Sequence, residues 1–234
     1  MKLFRRIRQN LIKEGKLKRY LLYAIGEILL VMIGILLAFQ VSKWNDVRIK
    51  RNNESTIYQN IKDQIIDDRN LIYGQIRFNG RFMAQFKYAN KIIEMNDRTK
   101  MDTLGVIIRN LTQYSDFNKQ SNIYENMANS GEIKLLNNHE IIELIRILGE
   151  SYTYFNRMER IHYDAIIKYA AQSITNVIKL DTCEIMKPEE VYSFQFRNLI
   201  LTLMQIMGEK TDSYNSAINY IDRTIKLIDE ELAK

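Results

Sequence analysis

Apolar positions along this chain fall into two regimes. From Tyr20 to Val41 they are nearly continuous: the run YLLYAIGEILLVMIGILLAFQV holds no Lys or Arg and one acid, Glu27. At about 1.5 Å per residue, a helix of this run is long enough for the roughly 30 Å hydrocarbon core of a bilayer. Beyond it, apolar residues recur at helical spacing. Ile57, Ile61, Ile65, Ile72, Ile76, Phe82, Phe86 and Ile93 predict one long helix over 46–95, with weak points at Gly74 and Gly80 and an end at Asn96. Asp102 is the expected cap of a short helix reaching Tyr114, and Ser121 the cap of another over Asn122–Asn129, closed by Gly131.

Asn137 with Glu140 resembles a capping box and opens a third long element, carried by Ile141, Leu144, Ile145, Leu148, Tyr152, Phe155, Met158, His162, Ile166, Tyr169, Ile174 and Ile178. Pro188-Glu-Glu marks the start of the last helix, whose apolar face runs through Leu199, Leu203, Ile206, Tyr214, Ile218, Ile221, Ile225, Ile228 and Leu232, with a weak point at Gly208. No hairpin signal interrupts the pattern. The expected fold is all-α: an N-terminal transmembrane helix continuing into an antiparallel bundle of long helices, with the two short helices as a fourth rod. The expected division is a basic cytoplasmic tail over 1–19, the span over 20–41 and a helical periplasmic domain over 42–234.

Charge changes the picture only when split by region. The first nineteen residues hold eight basic side chains against one acid, while 42–234 carries equal numbers of each sign. The net charge of +6 is therefore a membrane-flanking feature. A neutral C-terminal domain has no electrostatic footprint for DNA or RNA, so no nucleic acid is expected as a partner. Basic residues hold their side of a span in the cytoplasm, which predicts a cytoplasmic N-terminus and a bundle on the far side of the inner membrane. Tyr20, Tyr23 and Trp44 suit the two interfacial aromatic belts. The apolar run is too long for a cleaved signal peptide and lacks a good small-residue cleavage site, so an uncleaved signal anchor is expected. One cysteine, Cys183, excludes an intrachain disulfide and reads as a small buried hydrophobe.

Candidate chemistry is sparse. His139 and His162 stand 23 residues apart on one predicted helix and cannot share a metal. Glu159-x-x-His162 and His139-x-x-x-Glu143 read as surface or satisfied core pairs. Asp67-Asp68 and Glu230-Glu231 read as solvated helix faces, and the tyrosines as packing. No phosphate loop, nucleophile elbow or metalloprotease motif occurs, so no catalytic residue, metal or cofactor is expected, and the protein is not expected to be an enzyme. Glu27 is the exception. An acid within a span is costly and usually has a role. Ala24, Glu27, Val31, Gly34 and Ala38 fall on one stripe at steps of three and four, and Gly34 with Ala38 is a small-x-x-x-small pair that admits a second helix.

The run Tyr20-Leu-Leu-Tyr-Ala-Ile-Gly-Glu-Ile after a Phe-Arg-Arg-Ile-Arg-Gln-Asn tail, and the segment Tyr124-Glu-Asn-Met-Ala-Asn-Ser-Gly-Glu-Ile-Lys-Leu-Leu-Asn-Asn, resemble a family of uncharacterised single-span membrane proteins of Gram-negative bacteria. The resemblance covers about a quarter of the chain. It implies an inner-membrane protein with a periplasmic helical domain, and no activity or cofactor. The expected function is a membrane-anchored helical scaffold, with the lipid bilayer and a protein partner or a second copy as its contacts. Two alternatives stand beside it: a periplasmic ligand-sensing bundle, and an accessory subunit of a membrane complex.

Overall fold

A computed structural model describes the backbone of residues 17–117 and 123–234, with side chains from Leu21 onward except Tyr23. Residues 1–16 of the basic tail, the side chains of its remaining residues and of Tyr20 and Tyr23, the cap expected at Ser121 and the helix start expected at Asn122 lie outside the described residues. The chain divides into two units between Glu54 and Ser55. In the first, the apolar run is helical, its most apolar window has a mean hydropathy of 2.3, and none of that window is buried. It is long and apolar enough to cross a membrane.

The described residues are all-α and hold no strand. Helix α1 covers Leu17–Glu94, α2 Met101–Arg109, α3 Ile123–Ser130, α4 His139–Ala165, α5 Ala171–Val177, α6 Pro188–Val191 and α7 Phe194–Leu232. Short 3-10 turns fill 98–100, 110–112 and 132–135. Gly74, Gly80 and Gly208 interrupt nothing: each lies inside a continuous helix. Helix α1 stops at a left-handed Asn96, with the Asn96 and Asp97 amides donating back to the Ile93 and Ile92 carbonyls, both at 3.0 Å. This is the paired closure of a Schellman motif, with Asn in the place usually taken by Gly. Gly131, at φ 80, closes α3 as expected.

Three expected starts move by a few residues. Asp102 sits in the first turn of α2 rather than at its cap, because Asp97 already caps the preceding 3-10 turn through Thr99. The cap of α4 is Asn138, which accepts from the Glu140 and Ile141 amides. Pro188 opens only the single turn of α6. The long helix starts at Phe194, where the Ser193 hydroxyl accepts the Phe196 amide.

Polar pairs between the rods of the second unit set out their directions. Lys62 meets Asp229, Arg69 meets Asp222, Asn79 meets Thr211 and Glu94 meets Arg197. As one number rises the other falls in steps that match to within one residue, so α1 and α7 run antiparallel in one register. Between α1 and α4 the pairs Tyr58–Asn138 and Asp68–Tyr152 rise together, so these two helices are parallel. That requires a return path, and α2 with α3 supplies it: Asn110 meets Gln85, and Ser115 meets Asn79. The two short helices are thus the fourth rod. Exposed ion pairs contribute about 0–1 kcal/mol each, against about 1.5–3 kcal/mol for each buried Ile or Leu. The apolar core of Ile61, Ile65, Ile72, Ile145, Leu148 and Ile221 at one end, and of Phe86, Leu104, Ile108, Ile174, Ile200 and Leu203 at the other, therefore sets the register that the ion pairs trim.

Past α4 the helix widens into a π turn over Ile166–Ala170. Its buried residues there follow steps of four: Met158, His162, Ile166, Ala170 and Ile174. A straight α-helix overshoots by about 40° at each such step, and the wider turn absorbs the excess. Tyr169, expected inside, is consequently 63% exposed. The connector from α5 to α6 folds back on itself through a single bridge between Ile178 and Ile185. Within it Cys183 is buried, with a left-handed backbone at φ 60.

The Cys183 carbonyl lies where a Cβ on Gly105 would be, at 1.9 Å. Gly105→Ala must push this connector off α2, an overpacking that costs about 1–3 kcal/mol. The drop is measurable by urea unfolding of the bundle; unchanged stability would place the carbonyl elsewhere.

Candidate functional site

Three helices present seam residues at alternating steps of three and four. On α1 these are Tyr58, Ile61, Ile65, Asp68, Ile72, Asn79, Phe86, Ala89 and Ile93, with the intervening positions half-buried. Helix α4 contributes Ile141, Ile145, Leu148, Tyr152, Phe155, Glu159 and His162, continued by Ile166 of the π turn, and α7 Phe196, Ile200, Leu203, Met207, Lys210, Tyr214, Ala217, Ile221, Thr224 and Ile228. This is the heptad spacing of helices packed side by side. Six seam positions hold polar or charged side chains: Asp68, Asn79, Glu159, His162, Lys210 and Thr224, all at 5% exposure or less.

Four of them gather around one feature. Between α2 and α3 the chain leaves helical geometry at Gln113, and Ser115 and Phe117 are buried. Backbone buried without helical bonds needs other partners. The Lys210 ammonium donates to the Ser115 carbonyl at 2.7 Å, and the Phe117 amide donates to Glu159 Oε1 at 2.6 Å. The Ser115 hydroxyl donates to Asn79 Oδ1 at 2.7 Å, while Asn79 Nδ2 donates to Thr211 at 3.3 Å. Tyr214 donates to the same Glu159 oxygen at 2.7 Å. Around them Phe117, Tyr152, Phe155 and Tyr214 stack in edge and tilted contacts. Each rod thus holds the connector through a different side chain.

The electrostatics follow from burial. Desolvation lifts the Glu159 carboxyl above the usual range, against the Phe117 and Tyr214 hydrogen bonds and the attraction of Lys210. Desolvation lowers Lys210 to about 8, partly opposed by Glu159 and Asp116, so it stays cationic near neutrality. His162 falls to about 3, first through burial and then through repulsion by Lys210. The Tyr152 and Tyr214 hydroxyls are pushed up by burial and by the carboxylates they bond, Asp68 and Glu159. Of these groups Glu159, Lys210, Tyr152 and Tyr214 are each engaged in a hydrogen bond that fixes its position.

The pairs expected from spacing are not made. Glu159 and His162 are both buried, but Glu159 binds the connector and neither His162 ring nitrogen has a hydrogen-bond partner among the described residues. Glu143 pairs with Arg146 rather than His139. Asp68 is wholly buried and accepts from Tyr152 at 2.8 Å, correcting its reading as a solvated face, while Asp67 beside it is exposed. Spacing alone missed Lys210. The signal was present: carrying the three-four rhythm from Leu203 to Ile228 lands on Lys210 and Thr224.

In the span, Val31, Gly34 and Ala38 are exposed, Ala24 and Glu27 are half-exposed, and a Cβ on Gly34 would meet nothing within 4 Å. Elsewhere an open groove of about 460 Å³ lies between Ser173, Asn176, Glu190, Ser193 and Phe196, but Asn176 and Glu190 bond each other across it. Among the described residues no group of His, Cys, Asp and Glu could hold a metal ion.

Fold and site together define an all-α protein with one apolar helix and a bundle pinned by a buried polar seam. Set beside family models, curated proteins and solved structures, the chain gives no match in any of the three comparisons.

Lys210→Met removes the ammonium that holds the buried Ser115 carbonyl, a loss of about 1–3 kcal/mol. Arg223→Met, which breaks the exposed pair with Glu140, costs about 1 kcal/mol or less. Urea unfolding of both variants checks the contrast; equal losses would remove Lys210 from this role.

Proposed function

We propose that this chain is a single-span membrane protein acting as a non-enzymatic helical scaffold. The observation that carries it is the apolar run itself, with hydropathy 2.3 and no burial in its most apolar window. Its N-terminus lies in the cytoplasm and the bundle in the periplasm of a Gram-negative cell. The eight basic residues before the span, against Lys43, Arg48, Lys50 and Arg51 just after it, support this orientation, and so does the resemblance of the anchor to uncharacterised inner-membrane proteins. The scaffold binds a protein partner or a second copy of itself through its span. Lipid tails are as apolar as Leu, so association there relies on close packing and interhelical hydrogen bonds. Gly34 and Ala38 permit the approach, and Glu27 offers the hydrogen bond. The ligand-sensing alternative gains little from the open grooves, whose polar side chains already bond one another. For an accessory subunit of a membrane complex, Glu27 remains the one supporting residue.

A phosphatase reporter that works only after export, fused behind Lys234, should be active; activity from a cytoplasmic reporter there instead would reverse the topology. Gly34→Ile should weaken cross-linking between spans in the membrane, and Ile35→Leu should leave it unchanged. Glu27→Gln should do less damage than Glu27→Leu, because the amide keeps a donor and an acceptor. Equal cross-linking from all four variants would reduce the stripe to an anchor.

A further inference from the structure

His162 has no visible structural bond to justify its place in the seam. It is completely buried, and neither ring nitrogen has a hydrogen-bond partner among the described residues. A buried polar group of this kind calls for an explanation, since nearly all others are satisfied. Its surroundings supply one. The ring meets the edge of Tyr114, at 6.2 Å between centroids, one residue before the Ser115 carbonyl that Lys210 holds. Lys210 of α7 is the charge that acts on it. Glu159 on its own helix and Asp116 of the connector act on Lys210, α1 contributes the neutral Asn79, and the Tyr163 ring lies tilted against Tyr114 at 5.7 Å.

We propose that His162 is an acid-sensitive latch, whose protonation releases the Ser115–Phe117 connector from Lys210 and Glu159 and opens the seam locally. A neutral imidazole tolerates this apolar site beside an ammonium. In the closed seam an imidazolium has two N–H donors that no described residue accepts from, and it sets a second positive charge near Lys210. It finds relief in two ways, and both break the same contact. Water enters as Tyr114 lifts away, carrying Ser115 with it. Alternatively the ring takes Glu159, one turn earlier on α4, and so withdraws it from the Phe117 amide and Tyr214. The π turn over Ile166–Ala170 begins at this point, with the Ile166 amide shared between the His162 and Tyr163 carbonyls, so the helix beside the latch is already not regular.

The sign follows from linkage. Folded, His162 gives up its proton down to about 3; once exposed it returns to 6.5. The open state therefore binds more protons between these values, and closure is lost as pH falls below about 6.5. A group shifting this far on opening favours the open state by roughly 25-fold more at pH 5 than at pH 7. Glu159, raised by burial, works in the opposite direction and offsets part of this.

The test is hydrogen–deuterium exchange on the full-length chain in detergent micelles, from pH 7 to pH 5, corrected for the intrinsic pH dependence of exchange. Protection of the Phe117 amide should fall about tenfold or more in the wild type, while helix amides around Ile145 keep theirs. His162→Phe, which fills the site, and His162→Gln, which stays neutral, should each hold Phe117 protection level across the range. Two variants guard against one that folds poorly. A wild-type chain with unchanged Phe117 protection, a loss equal at every amide, or the same acid slope in both variants overturns the proposal.

Discussion

A buried stretch of backbone that is not helical is the constraint on which the rest of this bundle depends. Two parallel helices, α1 and α4, need a connection that travels back along the bundle, and α2, the connector and α3 are that connection. At Ser115 and Phe117 it enters the core, where a carbonyl and an amide outside any helix must still be paired. An unpaired backbone group there costs about 1–3 kcal/mol. Lys210 and Glu159 meet the need, one through the Ser115 carbonyl and the other through the Phe117 amide. Removing water from one ion costs several kcal/mol, which only good geometry and further hydrogen bonds offset. Here those bonds go to the backbone, so the charges specify where the connector lies more than they add stability.

The same logic explains why polar residues occupy seam positions on every long helix. A polar side chain at such a position costs stability and fixes register. Asn79 and Thr211 lock α1 against α7 at the level where Ser115 enters, and Asp68 with Tyr152 fixes α1 against α4 nearer the span in sequence. Apolar seams alone would tolerate a slip of one heptad, since Ile, Leu and Phe repeat along all three helices. A slip would separate Lys210 from the Ser115 carbonyl and Glu159 from the Phe117 amide. His162 stands apart, because it shares the seam but makes no hydrogen bond among the described residues.

Hydrophobic periodicity by itself determined the all-α class, the long helices, the return path as a fourth rod and the apolar run near the N-terminus. These follow from local rules, since a 3.6-residue repeat and a run without charge are visible wherever they occur. Helix ends were legible to within a few residues: Gly131 and Asn96 acted as written, while the true starts at Asn138 and Phe194 lay beyond the residues that signalled them. Only the tertiary structure decided the π turn that expels Tyr169, the burial of Asp68, and the service of Glu159 and Lys210 to a connector about 40 and 95 residues away. No local rule reports such partners, because a charge enters a core only for something the rest of the fold brings to it.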